Sequence, residues 1–183
     1  MDSLTIREQK DMLRKKIRVI KRGITPLQIE IKSATIQHQI EQMPEFTASS
    51  TVFVYMALPD EVQTLSLIND WLFKKKIVLP VIKGETLELK EYSHYDSLEE
   101  GSSFGILEPR TGAIVALEEI DFAIIPGLAF DRHNNRLGRG KAYYDKLLQG
   151  SRFYKVGVCF LEQLVDNVPV DQHDVKMDEV IVA

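Results

Sequence analysis

The sequence predicts an α/β fold, a largely parallel, mixed sheet with helices on both faces. Three observations carry that prediction. Four short runs rich in β-branched, aliphatic and aromatic residues, 51–57, 77–82, 121–126 and 155–160, read as buried strands. Helical segments fall between several of them, the arrangement that covers a parallel sheet on both faces. The 183 residues are 44% hydrophobic and 27% charged, the balance of a soluble globular chain. No repeat or linker composition interrupts them, so residues 1–183 are expected to form one domain.

Residues 4–22 read as the first helix. Thr5 and Glu8 form a possible capping box, each side chain satisfying an exposed backbone donor. Ile6, Leu13, Ile17 and Ile20 recur at helical spacing and Gly23 is a stop. The opposite face carries Lys10, Arg14, Lys15, Lys16, Arg18, Lys21 and Arg22. Thr25 caps a second helix, with Pro26 in its first turn where the missing N–H does no harm. That helix runs to about Met43. After the strand at 51–57, a polar loop leads into a helix over 65–75 that packs through Leu67, Ile68, Trp71 and Leu72. Residues 77–82 form the next strand, and 85–92 alternate like an edge or hairpin strand. Gly101, Gly105, Pro109 and Gly112 punctuate a loop-rich stretch over 93–119. The third core strand, 121–126, is followed by a glycine- and arginine-rich loop and a helix to about Leu148. Strand 155–160, with Cys159 as a small buried hydrophobe, and a short strand at 178–183 complete the chain.

Charge and cysteine content exclude several functions. Lys and Arg total 23 against 27 Asp and Glu, a net charge of -4. An acidic chain binds phosphate backbones poorly, so nucleic acid is not an expected partner. One cysteine excludes an internal disulfide framework and any multi-cysteine metal site. His38, His94, His133 and His173 show no metal-ligand spacing. The apolar runs fall well short of the ~20 residues of a membrane helix, and the N-terminus has no signal-like run. A soluble, cytoplasmic protein is expected.

Residues 126–145, PGLAFDRHNNRLGRGKAYYD, are the segment that carries chemistry. They follow a core strand at its carboxyl end, where open α/β sheets place ligands. Gly138 and Gly140 permit close backbone approach, and the amides after Gly140 point out of a helix start, a natural anion site. Arg132, Arg136, Arg139 and Lys141 concentrate positive charge in an acidic chain, which suits a polyphosphate. Standard nucleotide motifs fail: Asn135 stands where a P-loop needs its first glycine, Ala142 where it needs Ser or Thr, and Tyr143 where a dinucleotide fingerprint needs its third glycine. From the pattern alone the stretch is either an anion site or a solvated arginine-rich loop.

The same stretch closely resembles the glycine-rich motif of the 5-formyltetrahydrofolate cyclo-ligase family, PG-x-x-FD-x-x-G-x-RLG-x-G-x-GYYD. Further markers follow in order: Lys10, Leu13 and Arg14; Met56 and Glu61; Gly105, Ile106, Glu108 and Pro109; Val168, Pro169 and Asp174. Two departures stand out. Ala142 replaces the glycine before the tyrosines, and Asn134 stands where many members have glycine.

The resemblance implies a three-layer α/β/α sandwich akin to sugar-phosphate isomerases and CoA transferases. It also implies ATP- and Mg2+-dependent conversion of 5-formyltetrahydrofolate to 5,10-methenyltetrahydrofolate by a monomer, acting on the folate with or without a polyglutamate tail. By similarity Lys10, Arg14, Arg136, Leu137, Gly138, Arg139, Gly140, Lys141, Ala142, Tyr143 and Tyr144 would bind ATP. Arg139 and Lys141 would be catalytic, Arg139 stabilising the transferring phosphoryl group, although Arg136 could instead brace the loop. Of Tyr143 and Tyr144, one should face the site and one pack as core. Met56, Glu61, Phe104 and Tyr143 would contact the folate, and Asp145 and Asp174 would hold magnesium.

Overall fold

The computed structural model describes residues 4–94, 98–101 and 105–183. Phe104, one of the expected folate contacts, lies outside them. Helix α1 spans Ile6–Lys21 and α2 spans Pro26–Glu41, each opened by a reciprocal capping box, the one expected of Thr5 with Glu8 and a second in which Gln28 completes the Thr25 cap. The short helix α3, Pro44–Ala48, separates α2 from strand β1, Thr51–Phe53. Helix α4, Leu65–Trp71, precedes β2, Lys76–Lys83, and β3, Thr86–Tyr92. The loop-rich stretch holds a small two-stranded ladder of β4, Leu98–Glu100, and β5, Leu107–Pro109. Strand β6, Phe122–Pro126, leads into β7, Ala129–Asp131, and β8, Arg136–Leu137, then α5, Tyr143–Leu148. Strands β9, Tyr154–Cys159, β10, Leu164–Val165, and β11, Glu179–Val182, follow.

The main sheet runs β11-β9-β6-β1-β2-β3. Every pairing is parallel except that of β2 with β3, which are antiparallel. Burial alternates with the two-residue period of a strand. Val52, Ile77, Leu79, Phe122, Ile124, Val156 and Val158 share one core with Ile36 and Ile40 of α2 and Trp71 of α4. Phe53, Val78, Ala123, Ile125 and Cys159 share the other with Leu148 of α5. Two apolar faces, both covered, explain why these strands carry almost no polar residue.

The glycine- and arginine-rich stretch is more ordered than a loop. β7 and β8 form a hairpin, Ala129 opposite Leu137 and Phe130 opposite Arg136. The Phe130 ring is fully buried and fills the space that side chains would take at Gly127 and Gly157, 2.6 Å from an ideal Cβ at Gly127. Both glycines are therefore required by packing. Asp131, also fully buried, accepts from the backbone N–H groups of His133, Asn135 and Val168 and from the Asn135 side chain. Burial pushes its carboxyl up, but these hydrogen bonds outweigh burial and hold it below the ordinary range. The tip of the hairpin is thus fixed by a buried carboxylate.

α1 departs from its expected face. Ile17 is fully buried with Leu128, Leu137 and Val168, but Ile6 and Ile20 are exposed. Lys10 and Lys21, placed by the sequence on the face opposite the apolar residues, are buried. Residues 10, 14, 17 and 21 follow helical spacing, so both lysines share the inward face of Ile17. Among the described residues no helix is long and apolar enough to cross a membrane.

Candidate active site

The carboxyl edge of the sheet carries two clefts that share one side chain. The chain moves outward from β1 through β2 to β3 and then returns to β6 on the other side of β1. Loops leaving adjacent strands diverge at such a reversal, which opens a crevice. The first cleft encloses about 110 Å³ and widens to about 850 Å³ when its open, solvent-filled mouth is included. Its wall is mostly apolar: Met56, Leu58, Ile82, Leu87, Tyr143 and Tyr144 line it. The second cleft is basic, lined by Arg7, Lys10, Arg14, Lys15 and Arg18 of α1 together with Gly140 and Asp171. Arg139 lines both.

The Arg139 guanidinium is held by two adjacent acids. Glu61 Oε1 accepts from Nε at 3.0 Å and from Nη2 at 2.7 Å, while Asp60 Oδ1 accepts from Nη2 at 3.0 Å. The second oxygen of Glu61 accepts the Leu58 N–H at 3.0 Å. Burial disfavours the charge on Arg139, but Glu61 and Asp60 outweigh it and raise its pKa further. Asp60 is braced from behind by Lys21, whose Nζ lies 2.9 Å from Oδ2. Burial raises the Asp60 carboxyl, and Lys21 and Arg139 more than reverse that. The result is a chain of alternating charges running from the last turn of α1 to the junction of the clefts.

The expected site residues fall into three groups. Lys10 and Arg14 line the basic cleft as anticipated. Lys10 Nζ also donates to Asp171 and Asp174 at 2.7 and 2.6 Å. Burial depresses the lysine, but the two carboxylates prevail and raise it. Arg14 Nε donates to the Gly138 carbonyl at 2.9 Å, tying α1 to the loop. Lys15 and Arg18, which the sequence assigned to solvent, line this cleft too. Met56, Glu61, Gly138, Lys141, Ala142, Tyr143, Tyr144 and Asp145 line the apolar cleft.

The expected division of one tyrosine to the site and one to the core is not clean, because both line the cleft. Tyr143 donates its hydroxyl to the Gly84 carbonyl at 3.2 Å, while Tyr144 packs against both cores. Burial raises the Tyr144 hydroxyl far above its usual pKa, with Glu61 adding to the shift. The third group is internal. Leu137 packs in the α1 core, and Arg136 donates to the Pro126 carbonyl and, at 2.7 Å, to Asp145 Oδ1. With its side chain 3% exposed, Arg136 is the bracing residue rather than a free phosphate ligand.

Two departures from the family motif acquire a common physical meaning. Asn134 and Ala142 are the non-glycine residues with positive φ among those described, at 63° and 57°. Both stand where the motif has glycine, the residue that adopts this conformation without steric cost.

Asp60, Asp171 and Lys21 are site residues that the sequence reading passed over. Asp60 could have been flagged as the neighbour of Glu61, and Lys21 by its helical spacing from Lys10 and Arg14. Asp171 has only its position three residues before Asp174, from whose carboxylate its own N–H is 2.7 Å away.

Among the described residues no group of three or more His, Cys, Asp or Glu forms a metal cage. Magnesium needs none, because it keeps several waters and binds through one or two carboxylates plus phosphate oxygens. Asp145 fits that donor type. Its Oδ1 is taken by Arg136, its Oδ2 has no protein partner among the described residues, and it lines the cleft.

Comparison with known proteins agrees with this architecture. The chain is 28% identical over 183 residues to a 5-formyltetrahydrofolate cyclo-ligase of Haemophilus influenzae, covering 96% of this chain and 98% of that one. It is 30% identical to a probable 5-formyltetrahydrofolate cyclo-ligase of Schizosaccharomyces pombe, over 84% of each chain. The solved 5,10-methenyltetrahydrofolate synthetase of Aquifex aeolicus superposes with a TM-score of 0.86 at 33% identity, covering 94% of this chain and 89% of that one. Residues 6–183 match the model of one family, and the chain therefore belongs to the 5-formyltetrahydrofolate cyclo-ligase family.

Proposed function

We propose that this chain carries out its family's reaction, the ATP-dependent closure of 5-formyltetrahydrofolate to 5,10-methenyltetrahydrofolate, at the junction of its two clefts. The pterin occupies the apolar cleft, and the triphosphate lies along the basic face of α1. Arg139 lines both clefts, and that observation carries the reading.

An N-formyl oxygen is a poor leaving group, so the reaction first transfers the γ-phosphoryl of ATP to it and releases ADP. The N10 amine then attacks the activated formyl carbon and loses its proton, and the C–O bond breaks to expel phosphate. Phosphoryl transfer of this kind depends on positioning and charge neutralisation rather than on a protein nucleophile. Arg139 supplies a planar guanidinium between donor and acceptor, oriented by Glu61 and Asp60. Lys10, Arg14, Lys15 and Arg18 supply charge along the polyphosphate, and Lys141 adds a cation at the cleft mouth. Arg14 and the Gly138–Gly140 backbone shape the loop against it. Met56 and Tyr143 contact the pterin. Glu61 borders it and acts through Arg139.

Asp145, and Asp174 once Lys10 turns to phosphate, would hold magnesium, which when bound neutralises phosphate charge. Both clefts and the arginine between them come from one chain, so a monomer suffices. The basic residues of α1 leave room for a polyglutamate tail as well as ATP.

The test is direct. Purified protein is mixed with 5-formyltetrahydrofolate and MgATP at acidic pH, and the near-ultraviolet absorbance of the methenyl product is followed. Absorbance should rise only when ATP is present. No rise with ATP overturns the reading, and a rise without ATP removes phosphoryl transfer from it.

A further inference from the structure

The apolar cleft contains a third carboxylate, which the reaction leaves unused. Its charged lining residues are Glu61, Glu108, Arg136, Arg139, Lys141 and Asp145. Glu61 pairs with Arg139, and Asp145 pairs with Arg136. Glu108 has no cationic partner among the described residues, although it is 9% exposed. A buried carboxylate without a cation requires hydrogen-bond donors. One is the backbone N–H of Ile82, 3.0 Å from Oε1. Oε2 has no protein donor among the described residues.

The side chain is also held in place. It rests against Gly101, where an ideal Cβ would fall 2.6 Å from the Glu108 carboxyl carbon, so a larger residue there would push the carboxylate aside. Ile82 is the penultimate residue of β2, two strands across the sheet from the exit of β6, where Arg136 bonds the Pro126 carbonyl. At ~4.8 Å per strand the two ends of the cleft are roughly 10 Å apart. Arg136 and Asp145 stand at the β6 end, Arg139 is held by the acids of the loop after β1, and a lone acceptor stands at the β2 end.

We propose that Glu108 is a specificity-determining residue that accepts hydrogen bonds from the 2-amino and ring N–H donors of the substrate's 2-amino-4-oxopyrimidine edge. The assignment rests on the pterin occupying the apolar cleft, as set out above. Glu61 has less acceptor capacity to offer: of the roughly four lone-pair sites of a carboxylate, Arg139 fills two and the Leu58 N–H one, whereas on Glu108 the Ile82 N–H fills one. The pyrimidine edge lies on the far side of the pterin from N5 and its formyl group. A carboxylate at the β2 end therefore orients the ring with the formyl oxygen toward Arg139. Two adjacent N–H donors match the two oxygens of a carboxylate, and an analogue lacking the amino group would strand a buried acceptor.

Glu108→Gln keeps an acceptor for the Ile82 N–H and the shape of the side chain. It should raise the KM for 5-formyltetrahydrofolate about ten- to a hundredfold, the worth of a charged hydrogen bond. The KM for ATP should not change. The wild-type enzyme should lose a similar factor with the 2-desamino analogue of the substrate, and the variant should discriminate far less between the two. That substrate-side measurement needs no mutation and holds even if the variant is unstable.

Folate binding without ATP, followed by calorimetry, separates this inference from the assigned reaction. Binding that depends on Glu108 without turnover would overturn the reaction and leave the inference standing. Unchanged KM in Glu108→Gln, or equal use of both substrates by the wild type, overturns the inference and leaves the reaction intact. If the wild type neither turns over nor binds 5-formyltetrahydrofolate, both fall.

Discussion

Ala142 sits at φ 57° and ψ 15°, at the N-terminal boundary of α5 and beside the clefts. For an L-residue that conformation brings Cβ against its own backbone, a cost of roughly 1–2 kcal/mol. Glycine removes the clash but loses about 0.4–1 kcal/mol through its freer unfolded chain. Ala142→Gly should therefore stabilise the protein by about 0.5–1 kcal/mol. For a chain of this length that is a rise of roughly 1–4 °C in Tm. Asn134 is the internal control. Asparagine tolerates the left-handed region, and its side chain donates to the Asp178 carbonyl at 3.0 Å. Asn134→Gly should therefore bring no gain. Paired thermal melts and urea titrations of the two variants decide the matter. The backbone is already in the glycine conformation, so turnover should stay within about twofold of the parent. A lower Tm for Ala142→Gly would refute the strain argument. A large gain in turnover would instead show that the methyl group impairs the phosphate loop and that the parent is a weakened enzyme.

Three further outcomes follow from the same geometry. Arg139→Ala should lower kcat by about 10³ or more, the usual effect of losing an arginine that neutralises a transferring phosphoryl group, while folate affinity measured without ATP changes little; unimpaired kcat would remove Arg139 from the chemistry. Lys21→Met replaces a buried ammonium with a buried thioether, so stability should hold or rise, but Asp60 loses its brace and kcat should fall about tenfold through misplacement of Arg139, with recovery in Lys21→Arg; kcat equal to the parent would make Lys21 merely structural. Asp131 has a folded pKa below its unfolded value of about 3.9, so its stabilisation is complete above that value and is lost as pH falls toward the folded pKa. Asp131→Asn strands the Val168 N–H and should cost about 1–3 kcal/mol at neutral pH. Urea titrations from pH 7 to pH 3 should show a shallower acid loss in the variant, and an identical acid limb would contradict the assignment.

Local chemistry made much of this protein legible from its residues alone. The capping boxes of α1 and α2 join residues three apart, and the core strands are short unbroken apolar runs, so both are visible in a short window. The phosphate-loop motif is one continuous stretch, and its resemblance to the cyclo-ligase motif carried the family, the reaction and most of the residues around the clefts.

Tertiary structure decided how those residues divide the work. Arg139 meets Glu61 across 78 positions, and Lys10 meets Asp174 across 164. Whether a charge faces water or an opposite charge depends on what the fold brings beside it, and no local pattern encodes that. Hence Lys21, one of seven cations that the sequence places on one face of α1, is buried against Asp60, and Arg136, one of several loop arginines, is an internal brace. Hence also Glu108, a marker in the sequence, is left in an apolar cleft with an oxygen to offer.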